Sequence, residues 1–206
     1  MVEFGLMNPA TSQTTLLQSL TIASPSARAM RVASVCFLTA LTAAAAQVSV
    51  PLPFTAVPFT FQPMVVLLGG LALGSRLGAS AQVLYLLLGI AGLPVFAASP
   101  LLPQGLLRLV GPTGGYLLSY PLAAFVTGLL AERGLDRKYA GSFAAMLVGL
   151  AIVYLAGATG LSLTTGVAFS GALAAGVVPF IGADLLKLVA AAGIVPGLWS
   201  FLGRRS

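Results

Sequence analysis

Residues 139–161 read YAGSFAAMLVGLAIVYLAGATGL, an apolar run without one charged side chain. A hydrocarbon core about 30 Å thick requires about 20 apolar residues of helix, so this run is long enough to cross a bilayer. Five other segments come close to that length: 32–50, 62–75, 77–96, 114–131 and 171–198. The second is short, and the Pro-rich stretch before it is expected to lie at the membrane surface or fold back into the bundle. Composition points the same way. With 58% hydrophobic and 7% charged residues, and a mean hydropathy of +1.04, the chain carries more apolar surface than one soluble core of 206 residues can hide. The expectation is an all-α integral membrane protein with six transmembrane helices, multi-pass in the cell membrane, with the lipid bilayer as its surroundings.

The charges test the helix count, because cytoplasmic loops collect Lys and Arg. With the N-terminus inside, Arg28, Arg31, Arg76, Arg133, Arg137, Lys138, Arg204 and Arg205 all fall on the cytoplasmic side. The outer loops 51–61 and 162–170 are uncharged, and the loop 97–113 carries only Arg108. An even number of spans with both termini cytoplasmic follows. Residues 1–29 are read as a mobile cytoplasmic extension or as a start misassigned upstream of Met30, and 30–206 as the six-helix membrane domain. From Met30 the chain imitates a signal peptide, with Arg31, an apolar run and Ala44-Ala45-Ala46. The five later spans and the charge alternation favour its retention as a helix.

Several function classes fall away. Histidine is absent and Cys36 is the single cysteine, which removes the commonest general base, a cysteine metal cluster and an intrachain disulfide. Of the four carboxylates only Asp184 sits at membrane depth, so a paired-aspartate intramembrane protease is excluded. The basic residues form no extended face for nucleic acid. There is no Walker-type loop, so any energy source must come from a partner. The chain is expected to be no enzyme, to hold no metal and to need no cofactor.

Three residues break the charge pattern: Arg108, Asp184 and Lys187. Asp184 and Lys187 stand three apart in Pro179-Phe180-Ile181-Gly182-Ala183-Asp184-Leu185-Leu186-Lys187, on one face of a helix. An ionised residue at mid-membrane costs at least about 2.5 kcal/mol, so such groups line a polar cavity or pair with each other. Two readings stand: a ligand-binding pair, or a structural ion pair with Lys187 snorkelling to the interface. Arg108 is either a solvated loop charge or a planar donor fork for a carboxylate ligand. In the first outer loop, four prolines among residues 51–58 and 63 stiffen a cap. There Thr60 and Gln62 offer neutral donors and acceptors, and Phe54, Phe59 and Phe61 offer cover for an apolar ring, unless the loop is a plain connector. Tyr85 is a similar candidate, although a membrane tyrosine also packs or marks an interface. Gly111-Pro112-Thr113-Gly114-Gly115-Tyr116 opens an apolar helix, its glycines suited to a turn and close packing rather than to phosphate. Ala40 and Ala44, four apart on the first helix, present a smooth surface that suits either internal packing or docking to a second membrane protein.

Taken in order, residues 53–62, the stretch Tyr85-Leu86-Leu87-Leu88-Gly89-Ile90-Ala91-Gly92-Leu93-Pro94-Val95-Phe96-Ala97, the motif at 111–116 and Pro179-Phe180 with Asp184 and Lys187 resemble the BioY family, the biotin-binding substrate (S) components of energy-coupling-factor transporters. The resemblance covers roughly residues 30–200. It implies a six-helix S-component bundle, with biotin captured at the outer face under the first outer loop. It also implies a transmembrane coupling protein and two ABC ATPases as partners, which alone use ATP. Binding roles carry over to Asp184 and Lys187, and further to Thr60, Gln62, Tyr85 and Arg108. Ala40 and Ala44 match the alanine motif that faces the coupling protein. Residues 98–104 depart from the Gly-rich stretch the resemblance implies there. The rivals are an S component for another small vitamin, a stand-alone proton-coupled carrier with Asp184 as protonation site, and a ligand-free assembly subunit.

Overall fold

The computed structural model of the chain describes residues 15–16, 26–99 and 103–203. Most of the N-terminal extension, residues 1–14 and 17–25, lies outside the described residues, as do Arg204 and Arg205. The elements in order are α1 (Ala27–Gln47), β1 (Ser49–Val50), β2 (Phe59–Thr60), α2 (Gln62–Leu73), α3 (Ser75–Ile90), α4 (Leu106–Leu109), α5 (Gly114–Glu132), a 3-10 turn (Leu135–Arg137), α6 (Tyr139–Thr165), α7 (Phe169–Gly176), α8 (Val178–Ala191) and α9 (Ile194–Gly203). The described residues are therefore all-α apart from one hairpin of two two-residue strands.

Among the described residues, four helical stretches are long and apolar enough to cross a membrane: Ala27–Gln47, Gly114–Glu132, Tyr139–Thr165 and Val178–Leu202. The helices α2, of 12 residues, and α3, of 16, fall short of the usual spanning length. Their brevity has a local cause. Gly74 takes φ +87 between them, a left-handed conformation that suits glycine, and folds the segment into a helical hairpin. Beyond α3, Gly92 at φ +93 and then Pro94 end the helix well before the expected residue 96. The expected last span, 171–198, is divided. Pro179 lacks an N–H and its ring clashes with a preceding carbonyl, so α7 stops at Gly176 and α8 restarts at Val178.

Hydrogen bonds between helices fix how the bundle is ordered. Thr39 on α1 donates to the Ala81 carbonyl on α3 at 2.9 Å. Gln47 at the end of α1 donates to the Pro94 carbonyl just past α3 at 3.3 Å, so these helices run parallel. Glu132 at the end of α5 accepts from both the backbone N–H and the hydroxyl of Ser75, each at 2.8 Å. The N-termini of α1 and α3 and the turn between α5 and α6 therefore share one end, which collects Arg28, Arg31, Arg76, Arg133, Arg137 and Lys138. Trp199 of α9 joins that end, donating to Asp136 Oδ2 at 2.7 Å while the Arg137 guanidinium lies 3.6 Å from its ring centroid. The β-hairpin and residues 91–99 and 103–113 occupy the opposite end.

Core packing relies on close backbone approach. A Cβ at Gly160 would sit 2.8 Å from Gly115 Cα, so the paired glycines let α5 and α6 touch along their backbones. That contact accounts for the Gly-rich start of α5. The outward face of α1 shows Val32, Phe37, Leu41 and Val48 exposed, with Ala40 and Ala44 exposed beside them.

Candidate ligand-binding site

At the hairpin end of the bundle a cavity is lined by residues of the hairpin segment, including Thr60, and by Gln62 at the start of α2; by Ala97, Arg108 and Thr113; by Tyr116 and Tyr120 of α5; by Val153 and Tyr154 of α6; and by Phe180 and Asp184 of α8. The walls are apolar and aromatic, with a few polar groups converging, the usual constitution of a small-molecule site.

Asp184 and Lys187 lie on α8, which runs from the hairpin end toward the basic end, where Tyr139 donates to the Val189 carbonyl at 2.9 Å. Side chains on a helix lean toward its N-terminus, so both residues lean toward the hairpin. They form an ion pair, Lys187 Nζ to Asp184 Oδ1, at 2.8 Å. The pair is buried, 5% exposed at Asp184 and 8% at Lys187. Lys187 reaches further and donates to the Thr60 carbonyl at 2.7 Å. Its ammonium sits 3.6 Å from the Phe59 ring centroid and 5.0 Å from that of Phe61, a cation–π contact in a desolvated setting. Asp184 lines the cavity directly, whereas Lys187 stands behind it, between the carboxylate and the lid.

The lid is the hairpin itself, antiparallel with Ser49 opposite Thr60 and Val50 opposite Phe59. Phe59 and Phe61 meet edge to face, 6.1 Å between centroids. Both are engaged with Lys187 and neither is among the cavity's lining residues, while Phe54 is 61% exposed. The aromatic side chains that do line the cavity are Tyr116, Tyr120, Tyr154 and Phe180, all from the helices. Thr60 Oγ1 accepts from the backbone N–H of Gln62 at 3.3 Å, and the Gln62 amide donates to the Tyr85 oxygen at 2.6 Å. Tyr85 in turn donates to the Val95 carbonyl at 3.1 Å and packs edge to face on Phe96 at 5.5 Å. Tyr85 is fully buried and lies behind Gln62, joining the hairpin end of α2 to the segment after α3 at Val95 rather than lining the cavity.

Arg108 is 2% exposed, so the solvated-loop reading does not hold. The short helix α4 turns its guanidinium inward, where one Nη donates to the Ala97 carbonyl. Its Nη1 and the hydroxyl of Thr113 are buried without a hydrogen-bond partner, and both residues line the cavity. Burial lowers the Arg108 pKa, with a smaller opposing influence from Tyr85. A guanidinium is not deprotonated in proteins, so Arg108 is a cationic donor.

Residues that the sequence did not single out complete the site. Tyr154 donates to Asp184 Oδ2 at 2.7 Å, and Tyr116 to the Gly176 carbonyl at 2.8 Å. Tyr154 sits inside the uncharged run 139–161, where its phenol was the one polar signal at mid-span. Among the described residues no group of three or more His, Cys, Asp or Glu side chains is placed to hold a metal.

The family model described as the BioY family matches residues 14–204. The chain belongs to the BioY family. Among BioY relatives, the biotin transporter BioY of Thermotoga maritima is 44% identical over 154 residues, 75% of this chain and 86% of that protein. The probable biotin transporter BioY of Pyrococcus horikoshii is 38% identical over 164 residues, 80% of this chain and 93% of its own. A solved crystal structure, of the S-component for biotin from an ECF-type ABC transporter, is similar with a TM-score of 0.78 and 25% identity, over 86% of this chain and 94% of that one. The stretches on which the sequence resemblance rests, 53–62, 85–97, 111–116 and 179–187, each contribute at least one residue to the cavity lining.

Proposed function

We propose that this chain binds biotin at the outer face of the cell membrane and presents it to an ATP-driven coupling module, acting as a transport component and not as an enzyme. The observation that carries the reading is one apolar cavity bordered by a carboxylate, Asp184, and an unpartnered cationic donor, Arg108 Nη1. Biotin presents a fused apolar ring, ureido N–H groups and a carboxylate. In this reading the aromatic walls take the ring, Asp184 accepts from a ureido N–H, and Arg108 with Thr113 receives the carboxylate. Lys187 neutralises Asp184 and holds the lid, and Gln62 and Tyr85 keep the lid in register with the second outer loop. The biotin-related names of the relatives and of the solved S-component support the choice of ligand.

Six crossings with both termini cytoplasmic complete the proposal. The collection of basic residues at one end of the bundle supports this orientation, with α2 and α3 forming a short hairpin whose Gly74 turn faces the cytoplasm. In this scheme the membrane domain begins with α1 at Ala27, three residues before the expected boundary at Met30, and the cytoplasmic extension is the part of the chain before it. No cofactor is needed, and ATP is used only by two ABC ATPases acting with a transmembrane coupling protein. The exposed Ala40 and Ala44 on α1 supply the docking surface.

Uptake of radiolabelled biotin by cells expressing the chain with and without the coupling protein and ATPases tests the reading. Concentrative uptake that requires the ATPases supports it. Uptake driven by a proton gradient without them would establish the proton-coupled carrier, with Asp184 as its protonation site. Saturable binding of a different vitamin in place of biotin would establish the same fold with another cargo.

A further inference from the structure

We propose that Tyr154 is a specificity-determining residue that accepts a hydrogen bond from an N–H of the ligand. A phenol carries one proton and two lone pairs. At Tyr154 the proton is committed to Asp184 Oδ2 at 2.7 Å, and Tyr154 and Asp184 both line the cavity. What the phenol oxygen has left to offer a ligand is therefore lone pairs alone. Donation to a carboxylate also polarises the phenol and strengthens it as an acceptor. A ligand group facing it must bring a donor, and a carbonyl or carboxylate oxygen there is repelled.

Tyr85 and Tyr116 provide the contrast. Tyr85 both donates, to Val95, and accepts, from Gln62, and it stands outside the cavity lining. Tyr116 spends its proton on a backbone carbonyl, Gly176, so no carboxylate polarises its oxygen. Tyr154 joins α6 to the ionised pair on α8, because Asp184 holds Lys187 through its other oxygen at 2.8 Å. The phenol thereby extends the acceptor surface of Asp184 across the cavity wall, making two acceptors side by side for a group with paired N–H donors.

This inference rests on the biotin reading, in which the donors are the ureido nitrogens. The test measures equilibrium binding of biotin and of its two ureido N-methyl derivatives to purified wild type and Tyr154→Phe. Wild type is expected to bind one N-methyl derivative roughly ten-fold more weakly than biotin. Tyr154→Phe should weaken biotin by a similar factor, while costing that same derivative less than about two-fold. The derivatives probe wild type directly, so indifference to both methyl groups would overturn the inference even if the variant folds poorly. Wild type that binds biotin but shows that indifference would overturn it together with the contact of Asp184 to a ureido N–H. Equal losses by the variant for biotin and both derivatives would overturn the inference and leave the biotin reading intact. Absence of biotin binding by wild type would overturn both.

Discussion

The ammonium of Lys187 lies 2.7 Å from the carbonyl oxygen of Thr60, a residue 127 positions earlier in the chain. One membrane-embedded cation thus joins the acid that lines the cavity to the hairpin that covers it. The same two side chains that look costly in lipid become a connection between ligand site and lid.

Removing one member of the pair leaves the other buried and unpaired, a loss of about 3–5 kcal/mol. Lys187→Met and Asp184→Asn should each lose biotin binding, and Lys187→Met should also lower the unfolding midpoint in detergent. The double variant, lacking the buried charge on both sides, should recover much of that stability without recovering binding. Recovery of binding in the double variant would mean that the pair is structural only.

Tyr85 ties Gln62 to Val95, so Tyr85→Phe removes both hydrogen bonds while keeping the ring against Phe96. The buried Gln62 amide and Val95 carbonyl each lose a partner, at about 1–3 kcal/mol per group. The lid should open more often, and biotin should dissociate several-fold faster, as read by chase of bound label. An unchanged dissociation rate would separate this network from lid closure.

Arg108 offers a planar fork of which one arm holds Ala97, and a lysine cannot hold that carbonyl and a ligand with the same geometry. Arg108→Lys should weaken biotin about ten-fold or more, since bonds to charged groups are the strong ones. The uncharged amide of biotin should lose far less. Calorimetric titration of both ligands distinguishes this from a general loss of fold.

Ala40 and Ala44 are exposed on α1 and touch neither cavity nor lid. Ala40→Trp and Ala44→Trp should abolish ATP-dependent uptake by blocking close helix approach, with biotin affinity of the isolated chain unchanged. Loss of both together would place the defect in folding instead.

Much of this was readable from residue order. The run 139–161 became α6 because nothing in it opposes a helix or attracts water. Asp184 and Lys187 stood out because lipid penalises them, and their spacing on α8 follows from helix geometry. Arg108 was ambiguous because nothing in the order of residues reveals that α4 turns it inward onto Ala97. The part of Tyr154 was hidden for a similar reason, since its partner is 30 positions away and apolar periodicity says nothing about a phenol's proton. The last span was read as continuous although Pro179 marked a break, because hydropathy averages over such a residue. Likewise Phe59 and Phe61 suggested ligand cover, but a cation from another helix claims their faces.

Equilibrium binding of radiolabelled biotin to the purified chain in detergent or nanodiscs tests the central claim most directly. The account predicts saturable binding at one biotin per chain, competed by unlabelled biotin and lost in Asp184→Asn. A folded, monodisperse wild-type chain that takes up no label would contradict it.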